Sequence, residues 1–320
     1  MEATATLRLR YAVVDLSAAV LYAPVAVTAH PAPFTDTLDE SVLASPAADP
    51  SVRVASVSGV DAAQLVLTDT DLTDCRFTGA FHLDQLRLEG NCTFAEPPKR
   101  SRWTRRRVLA EEHNWRAAVT TGSPGPPRGW TPGPRTPGTN ELASVYRALR
   151  KATEDAKNEP DAADFYYGEM EMRRHDPARP WGERALLNIY WAVSGYGLRA
   201  SRALIGLLVA MGLTIVLLIL VGLPAQPALQ RTTGRLTGGK VVTLTTQVPA
   251  PGSAPPGPWA DRFSWRRAEH AARTAVNSVI FRSAGQGLTV PGTYVEMTSR
   301  LVEPVLLAVV LLAVRNRVKR

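Results

Sequence analysis

The sequence predicts a mixed fold in three parts: a repeat-built β domain, a helical hairpin and a pair of membrane helices. The β domain is indicated by a five-residue spacing of small and apolar residues between Ala55 and His82. A helical periodicity begins at Asn140, and an uncharged stretch runs from Ala203 to Leu223. These three patterns differ in period and length, so each predicts a different kind of element.

Charge is divided unevenly along the 320 residues. Residues 1–97 contain thirteen acidic and five basic side chains, whereas residues 98–320 contain sixteen acidic and thirty-two basic ones. Basic residues beside a membrane span usually face the cytoplasm, so they predict an orientation before they predict nucleic-acid binding. We therefore expect a lipid bilayer as partner and not a nucleic acid.

No residue spacing indicates catalysis or a metal centre. Cys75 and Cys92 lie outside any Cys-x-x-Cys pattern, the five histidines are scattered, and no phosphate loop or nucleophile elbow occurs. We expect a non-enzymatic protein without a cofactor. We also expect Cys75, Cys92 and His82 to line the interior or the end of the first domain.

Residues 1–97 are predicted to fold around the five-residue spacing, which matches neither a helix nor a strand. The residues at the centres of the pentads are mostly small or apolar: Val57, Ala62, Leu67, Leu72, Phe77 and His82. The stretch from Asp61 to Gly90 resembles pentapeptide-repeat proteins, and this resemblance implies a partial right-handed quadrilateral β-helix. An alternative for Tyr11 to Ala26 is a signal peptide, which Asp15 disfavours.

A basic stretch follows, and residues 98–139 are predicted to be a basic segment that continues into a Pro/Gly-rich linker. Its basic side chains are candidates for contact with anionic lipid headgroups, and a solvated helix start is the alternative. The candidates are Lys99, Arg100, Arg102, Arg105, Arg106 and Arg107.

Residues 140–175 are predicted to form a helical hairpin. Asn158, Pro160 and Asp161 have the spacing of a helix stop followed by a capped helix start. The stretch from Phe165 to Arg174 is similar to the segment that leads into the membrane region of some bacterial, largely actinobacterial, pentapeptide-repeat proteins. Glu169 and Glu171 in this stretch are expected to face solvent.

The membrane region begins with an interfacial amphipathic helix at 176–202, indicated by Trp181, Tyr190, Trp191 and Tyr196. Residues 203–223 are long enough and apolar enough for a first transmembrane helix. An extracytoplasmic loop at 224–267 should contain a β-hairpin that turns at Gly238 and Gly239.

Residues 268–292 are predicted to form a short helix followed by a glycine-containing loop. The order of span, short helix, glycine loop and span resembles the two-helix pore module of potassium-type channels, and the resemblance implies a re-entrant loop and a tetramer. A positive side chain at Arg282 opposes cations, so potassium selectivity is not expected. The candidate pore-loop residues are Arg282, Ser283, Ala284, Gly285, Gln286, Gly287 and Pro291.

Residues 293–314 are predicted to form the second transmembrane helix, before a basic tail at 315–320. Glu303 and Arg300 are three residues apart and are expected to pair. Two spans with basic flanks predict a multi-pass cell-membrane protein with both termini in the cytoplasm. The alternative is one span and a C-terminal surface helix.

Two functions are compatible with this organisation. The first is a channel-like, homo-oligomeric membrane protein of unknown selectivity. The second is a non-conducting anchor that presents cytoplasmic surfaces to a partner protein.

Overall fold

The computed structural model describes residues 4–34, 49–98, 106–121, 129–224, 229–235, 241–247, 262–280 and 288–318. The chain divides into two compact units, residues 1–188 and 189–319.

The first unit begins with two small parallel sheets. The strands are β1 (Ala5–Leu9), β2 (Ala12–Asp15), β3 (Val25–Ala29), β4 (Val52–Ser56), β5 (Leu65–Thr68) and β6 (Arg87–Glu89). One sheet has the order β1-β3-β5-β6, and the other pairs β2 with β4. Val25 of β3 is in register with Ala5 of β1 and with Leu65 of β5.

The predicted right-handed quadrilateral β-helix is wrong. The described part of residues 1–97 forms two small parallel sheets in a mixed α/β unit, not a solenoid. A solenoid buries its interior by stacking coil on coil, whereas the described strands of this stretch pair in two separate small sheets. Its apolar side chains instead share one core with helices: Phe94 packs edge-on against Phe165, with ring centroids 5.1 Å apart.

The five-residue spacing nevertheless identified buried positions. Val57, Ala62, Leu67, Leu72 and Phe77 are each at most 1% exposed. The two cysteines are buried free thiols, as expected.

The expectation for His82 is wrong. Its side chain is exposed, and Nδ1 lies 2.9 Å from Oδ1 of Asp61. The residue adopts a left-handed backbone conformation immediately before a short 3₁₀ turn, which directs the ring away from the core.

Three helices complete the core of the first unit. They are α1 (Ala110–Thr121), α2 (Thr139–Asp155) and α3 (Glu159–His175). Helix α1 lies inside the segment predicted as linker, whereas α2 and α3 form the predicted hairpin. The Asn158 side chain accepts a hydrogen bond from the backbone N–H of Asp161 and so caps α3.

Helix α4 (Trp181–Ser194) crosses the boundary between the units and ends in a left-handed turn. Gly195, Tyr196 and Gly197 all have positive φ there, and glycine adopts this conformation without a steric penalty. The turn ends α4 six residues before α5 starts.

The second unit is mostly helical. Helix α5 (Ala200–Leu217) continues into a π-helical turn (Leu218–Gly222), and α6 (Trp265–Ile280) precedes α7 (Val290–Val318). Strands β7 (Leu229–Arg235) and β8 (Val241–Gln247) pair antiparallel in the predicted hairpin. Gly238 and Gly239, the predicted turn, lie outside the described residues.

Candidate functional site

Two helices of the second unit are long and apolar enough to cross a membrane: Ala200–Gly222, with 23 residues, and Val290–Arg315, with 26. In the most apolar stretch of each helix, only 22% and 17% of the residues are buried. The core helix of a soluble protein buries most of such a stretch. The outward side chains are mainly aliphatic and include Ile205, Val209, Leu213, Leu301, Val305 and Leu312.

The two long helices pack against each other along a seam of small and polar residues. Gly222 lies against Gly292, and Ala203 and Leu207 cluster with Val310, so the helices run antiparallel. A Cβ on Gly292 would lie 2.5 Å from the carbonyl oxygen of Gly222. This contact therefore requires glycine, which is how apolar helices commonly approach each other in lipid.

A threonine joins the ends of the two helices beside these glycines. The backbone N–H of Thr289 donates to the Gly222 carbonyl over 2.9 Å, and its hydroxyl group hydrogen-bonds to Val221. The same hydroxyl oxygen accepts from the backbone N–H of Gly292, 3.2 Å away. Thr289 thus caps the start of α7 and satisfies carbonyls at the end of the preceding helix.

Arg262, three residues before α6, and Arg267, in its first turn, satisfy the remaining carbonyls at that end. Arg267 donates to Ile219, Leu223 and Pro224 over 2.9 Å each, and Arg262 donates to Leu220 over 2.7 Å. Guanidinium groups suit the negative end of a helix dipole. The π-helical turn is therefore held from both sides, by α6 and by the start of α7.

Glu303 lies near the middle of α7 and is only 1% exposed. The hydroxyl of Thr214, in α5, donates to Oε1 of Glu303 over 2.7 Å. The second carboxyl oxygen, Oε2, is buried and has no hydrogen-bond partner in the described part of the chain. Proline follows at position 304 inside the helix.

The expected pairing of Arg300 with Glu303 is wrong. Arg300 binds Glu296 instead, with Nη2 and Oε1 2.8 Å apart, four residues earlier on the same helix. The i,i+4 separation aligns these two side chains, whereas Glu303 points to α5. Glu303 is therefore a second acidic group in the seam, distinct from the Glu296–Arg300 pair.

Most predicted pore-loop residues lie outside the described part of the chain: Arg282, Ser283, Ala284, Gly285, Gln286 and Gly287. Pro291 is described and occupies the first turn of α7, where proline costs no helical hydrogen bond. Helix α6 lies where the short helix before the loop was predicted, and it begins three residues earlier.

Of the predicted lipid-facing basic residues, Lys99, Arg100, Arg102 and Arg105 lie outside the described residues. Arg106 is interior: its side chain is 1% exposed and Nη2 lies 2.5 and 2.6 Å from the two carboxyl oxygens of Glu112. Arg107 is half-buried and binds Oδ2 of Asp161 over 2.6 Å. Both arginines therefore bind carboxylates of the first unit.

Glu112 is the centre of a buried polar network that the sequence did not reveal. It accepts hydrogen bonds from Arg106, from Arg116 at 2.7 Å and from the hydroxyl of Tyr146. Burial alone would raise the pKa of Glu112, but the charges of Arg106 and Arg116 lower it to about 2. Burial and the nearby Glu112 charge raise the pKa of Tyr146, so this side chain stays a neutral donor.

The expectation that Glu169 and Glu171 face solvent is wrong. Glu169 is 1% exposed and binds Arg147, Arg150 and Arg173, and Glu171 is 2% exposed. Glu171 binds Arg116 and Arg174 over 3.0 Å each. The arginines three and four residues after these glutamates are a sequence signal for such pairs on one helix face.

Among the described residues, no group of three His, Cys, Asp or Glu side chains is placed to hold a metal ion. No protein-family model, curated protein or solved structure matches this chain. Neither resemblance noted from the sequence gains support from these comparisons.

The Glu112 network gives a prediction about the stability of the first unit. Changing Glu112→Gln leaves Arg106 buried beside a neutral amide, so we expect a loss of about 3–5 kcal/mol in the free energy of unfolding. Chemical denaturation of the detergent-solubilised chain, followed by proteolytic protection of residues 106–175, measures it. Glu141→Gln is the matched control, because Glu141 pairs with Arg135 at the surface and should cost under about 1 kcal/mol. Equal effects of the two variants would contradict the prediction.

The glycine contact gives a second prediction. A methyl group at Gly292→Ala collides with the Gly222 backbone, so the seam should lose roughly 1–3 kcal/mol. The loss should be measured as a lower thermal unfolding temperature of the chain in detergent. Gly212→Ala, where a Cβ meets no atom within 4 Å, should be neutral or stabilising. A tolerated Gly292→Ala would exclude a tight contact here.

Proposed function

We propose that this chain is an integral membrane protein that crosses the bilayer twice, through α5 and α7, and anchors the first unit in the cytoplasm for contact with partner proteins. One observation carries the proposal: both helices are long, apolar and mostly unburied, with aliphatic side chains outward. Lipid is the environment in which that surface costs no free energy. The antiparallel seam gives each helix a protein-facing side as well.

The surface of α4 supports the same proposal. Trp181 is 83% exposed, and Leu186, Ile189 and Tyr190 are exposed on this helix as well. A helix with outward aliphatic and aromatic side chains suits the interface between water and lipid. The predicted interfacial segment 176–202 thus contains a helix, α4, with the required surface.

Basic flanks determine the proposed orientation. Arg199 and Arg202 lie at the start of the first span, Arg315 is the last residue of the second, and Arg317, Lys319 and Arg320 follow it. Positive residues are retained on the cytoplasmic side, so both termini are proposed to be cytoplasmic and the 224–267 loop to lie outside.

Labelling of single introduced cysteines tests membrane insertion and orientation together. Ser253→Cys should react with a membrane-impermeant maleimide in intact cells, and Asn316→Cys should react only after the cells are opened. The native Cys75 and Cys92 are buried and free, so they provide a low background. Carbonate washing should leave the chain in the membrane pellet.

Two results would contradict the proposal. Release of the chain by carbonate would exclude membrane spans. Labelling of Asn316→Cys in intact cells would exclude cytoplasmic termini and favour one span with a surface helix.

A channel-like oligomer is the second candidate, favoured by the position of α6 directly between the two spans and before the glycine-containing stretch. The positive side chain of Arg282 would oppose cation passage, so Arg282→Thr should increase cation conductance of the reconstituted protein. Bilayer recordings of the wild-type and variant proteins under several ionic conditions measure this. Electrically silent bilayers for both proteins would leave the anchor as the function.

A further inference from the structure

Glu303 is the one acidic side chain in the apolar half of α7 between Leu301 and Val314. It is 1% exposed and lies near the midpoint of the proposed second span. An ionised carboxylate at that depth is strongly unfavourable unless a cation or several donors compensate it. What surrounds Glu303 therefore decides which form of the carboxyl group the structure can hold.

The described surroundings of Glu303 contain one donor and no paired cation. Thr214 donates to Oε1, and α5 has no charged residue from Ala203 to Leu217. On α7, Arg300 is held by Glu296. Helix α6 also packs against α7; its charged and titratable residues are Arg266, Arg267, Glu269, His270 and Arg273.

None of these α6 groups is an ion-pair partner of Glu303. The guanidinium of Arg267 binds the three carbonyls at the end of the first span. Glu269 pairs with Arg273 over 2.7 Å. Within the described residues, the charge on an ionised Glu303 would thus be uncompensated.

The geometry at Oε2 of Glu303 favours the protonated form of its carboxyl group. Oε2 is buried and has no hydrogen-bond partner among the described residues, which costs an ionised carboxylate more free energy than a neutral acid. Pro304 has no N–H, so the carbonyl of Arg300 on the same helix lacks its usual intrahelical donor. That carbonyl belongs to the residue three positions before Glu303, so an acceptor without its helical donor lies close to Glu303 along the chain.

We propose that Glu303 is a proton-binding site inside the membrane, and that its carboxyl group is protonated at neutral pH when α5 and α7 are packed together. The proposal rests on the proposed membrane insertion of α5 and α7. The Thr214 hydroxyl donates a hydrogen bond to the carbonyl oxygen of the acid, and burial between α5 and α7 excludes the ionised form. Loss of the proton places an uncompensated charge between the helices and weakens the seam.

A hydrophobic carbodiimide tests this directly in native membranes. The reagent adds to a protonated carboxyl group: the acid proton moves to a carbodiimide nitrogen and the carboxyl oxygen bonds to the central carbon. The product rearranges to a stable N-acylurea, so the peptide gains the mass of one whole reagent molecule. Nothing leaves, and no oxidant or reductant is needed.

The sequence provides an internal control for assigning the label. Trypsin cleavage after Arg282, Arg300 and Arg315 gives two peptides, residues 283–300 and 301–315. The first contains Glu296 as its single carboxylic side chain, and the second contains Glu303. Mass spectrometry of these peptides therefore compares a glutamate paired with arginine and an unpaired one, in the same molecule.

We expect the 301–315 peptide to be labelled roughly tenfold more than the 283–300 peptide near pH 7, and still labelled near pH 8, where an exposed glutamate is fully ionised. Glu303→Gln should abolish labelling of its peptide, and Glu296→Gln should not. Thr214→Val keeps the fold of α5 and should leave the Glu303 label in place, because burial rather than this hydrogen bond keeps the acid neutral.

Three results would overturn the proposal: no label on residues 301–315 at any pH, a label that appears only at acid pH, or equal labelling of both peptides. Carbonate extraction of the same membranes distinguishes these results from failure of the proposed function. A chain that stays in the pellet but is unlabelled has spans without a protonated Glu303.

Discussion

The antiparallel packing of α5 against α7 is the constraint on which the second unit depends. Two apolar helices gain no hydrophobic free energy by associating in lipid, so close contact and polar bonds must provide it. Gly222 and Gly292 allow the backbones to touch, Thr289 bonds across the contact, and Thr214 bonds Glu303 further along the seam. Arg262 and Arg267 then bind the exposed carbonyls where the first helix ends.

In the first unit, buried acidic side chains are paired with cations. Its interior contains ionised glutamates that are compensated by arginines, as with Glu112 between Arg106 and Arg116. Such pairs contribute little net stability compared with apolar packing, but removing one partner is costly. They therefore fix the position of α1 against the α2–α3 hairpin. Glu303 differs from them because it has a hydroxyl partner and no cation among the described residues.

Local patterns in the sequence predicted local structure well. The periodicity from Asn140 gave the α2–α3 hairpin with its Asn158 cap, the uncharged stretch gave the first long helix, and the five-residue spacing identified buried residues such as Leu67 and Phe77. Each of these depends on neighbours within a few positions. The burial of a side chain follows from its local pattern even when the strand pairing does not.

Long-range pairings were not predictable from one sequence. The β-helix expectation failed because the short strands bury their apolar faces against α1, α2 and α3, which lie far along the chain. In the sequence, Arg106 belongs to a basic run that is typical of a surface. Its burial depends on Glu112 and Tyr146, to which it hydrogen-bonds in the structure. Arg300 has acidic residues at both three and four positions away, and only the direction of α5 shows which one it binds.

Disulfide formation across the seam in native membranes tests the central claim most directly. Leu207 and Val310 belong to one buried cluster, whereas Leu208 is exposed on the outward face of α5. Oxidation of the Leu207→Cys, Val310→Cys chain should give an intramolecular disulfide between peptides from α5 and α7, and the Leu208→Cys, Val310→Cys chain should give little. Equal linkage in both chains, or linkage only between separate molecules, would show that the two helices do not pack as an antiparallel hairpin in the membrane.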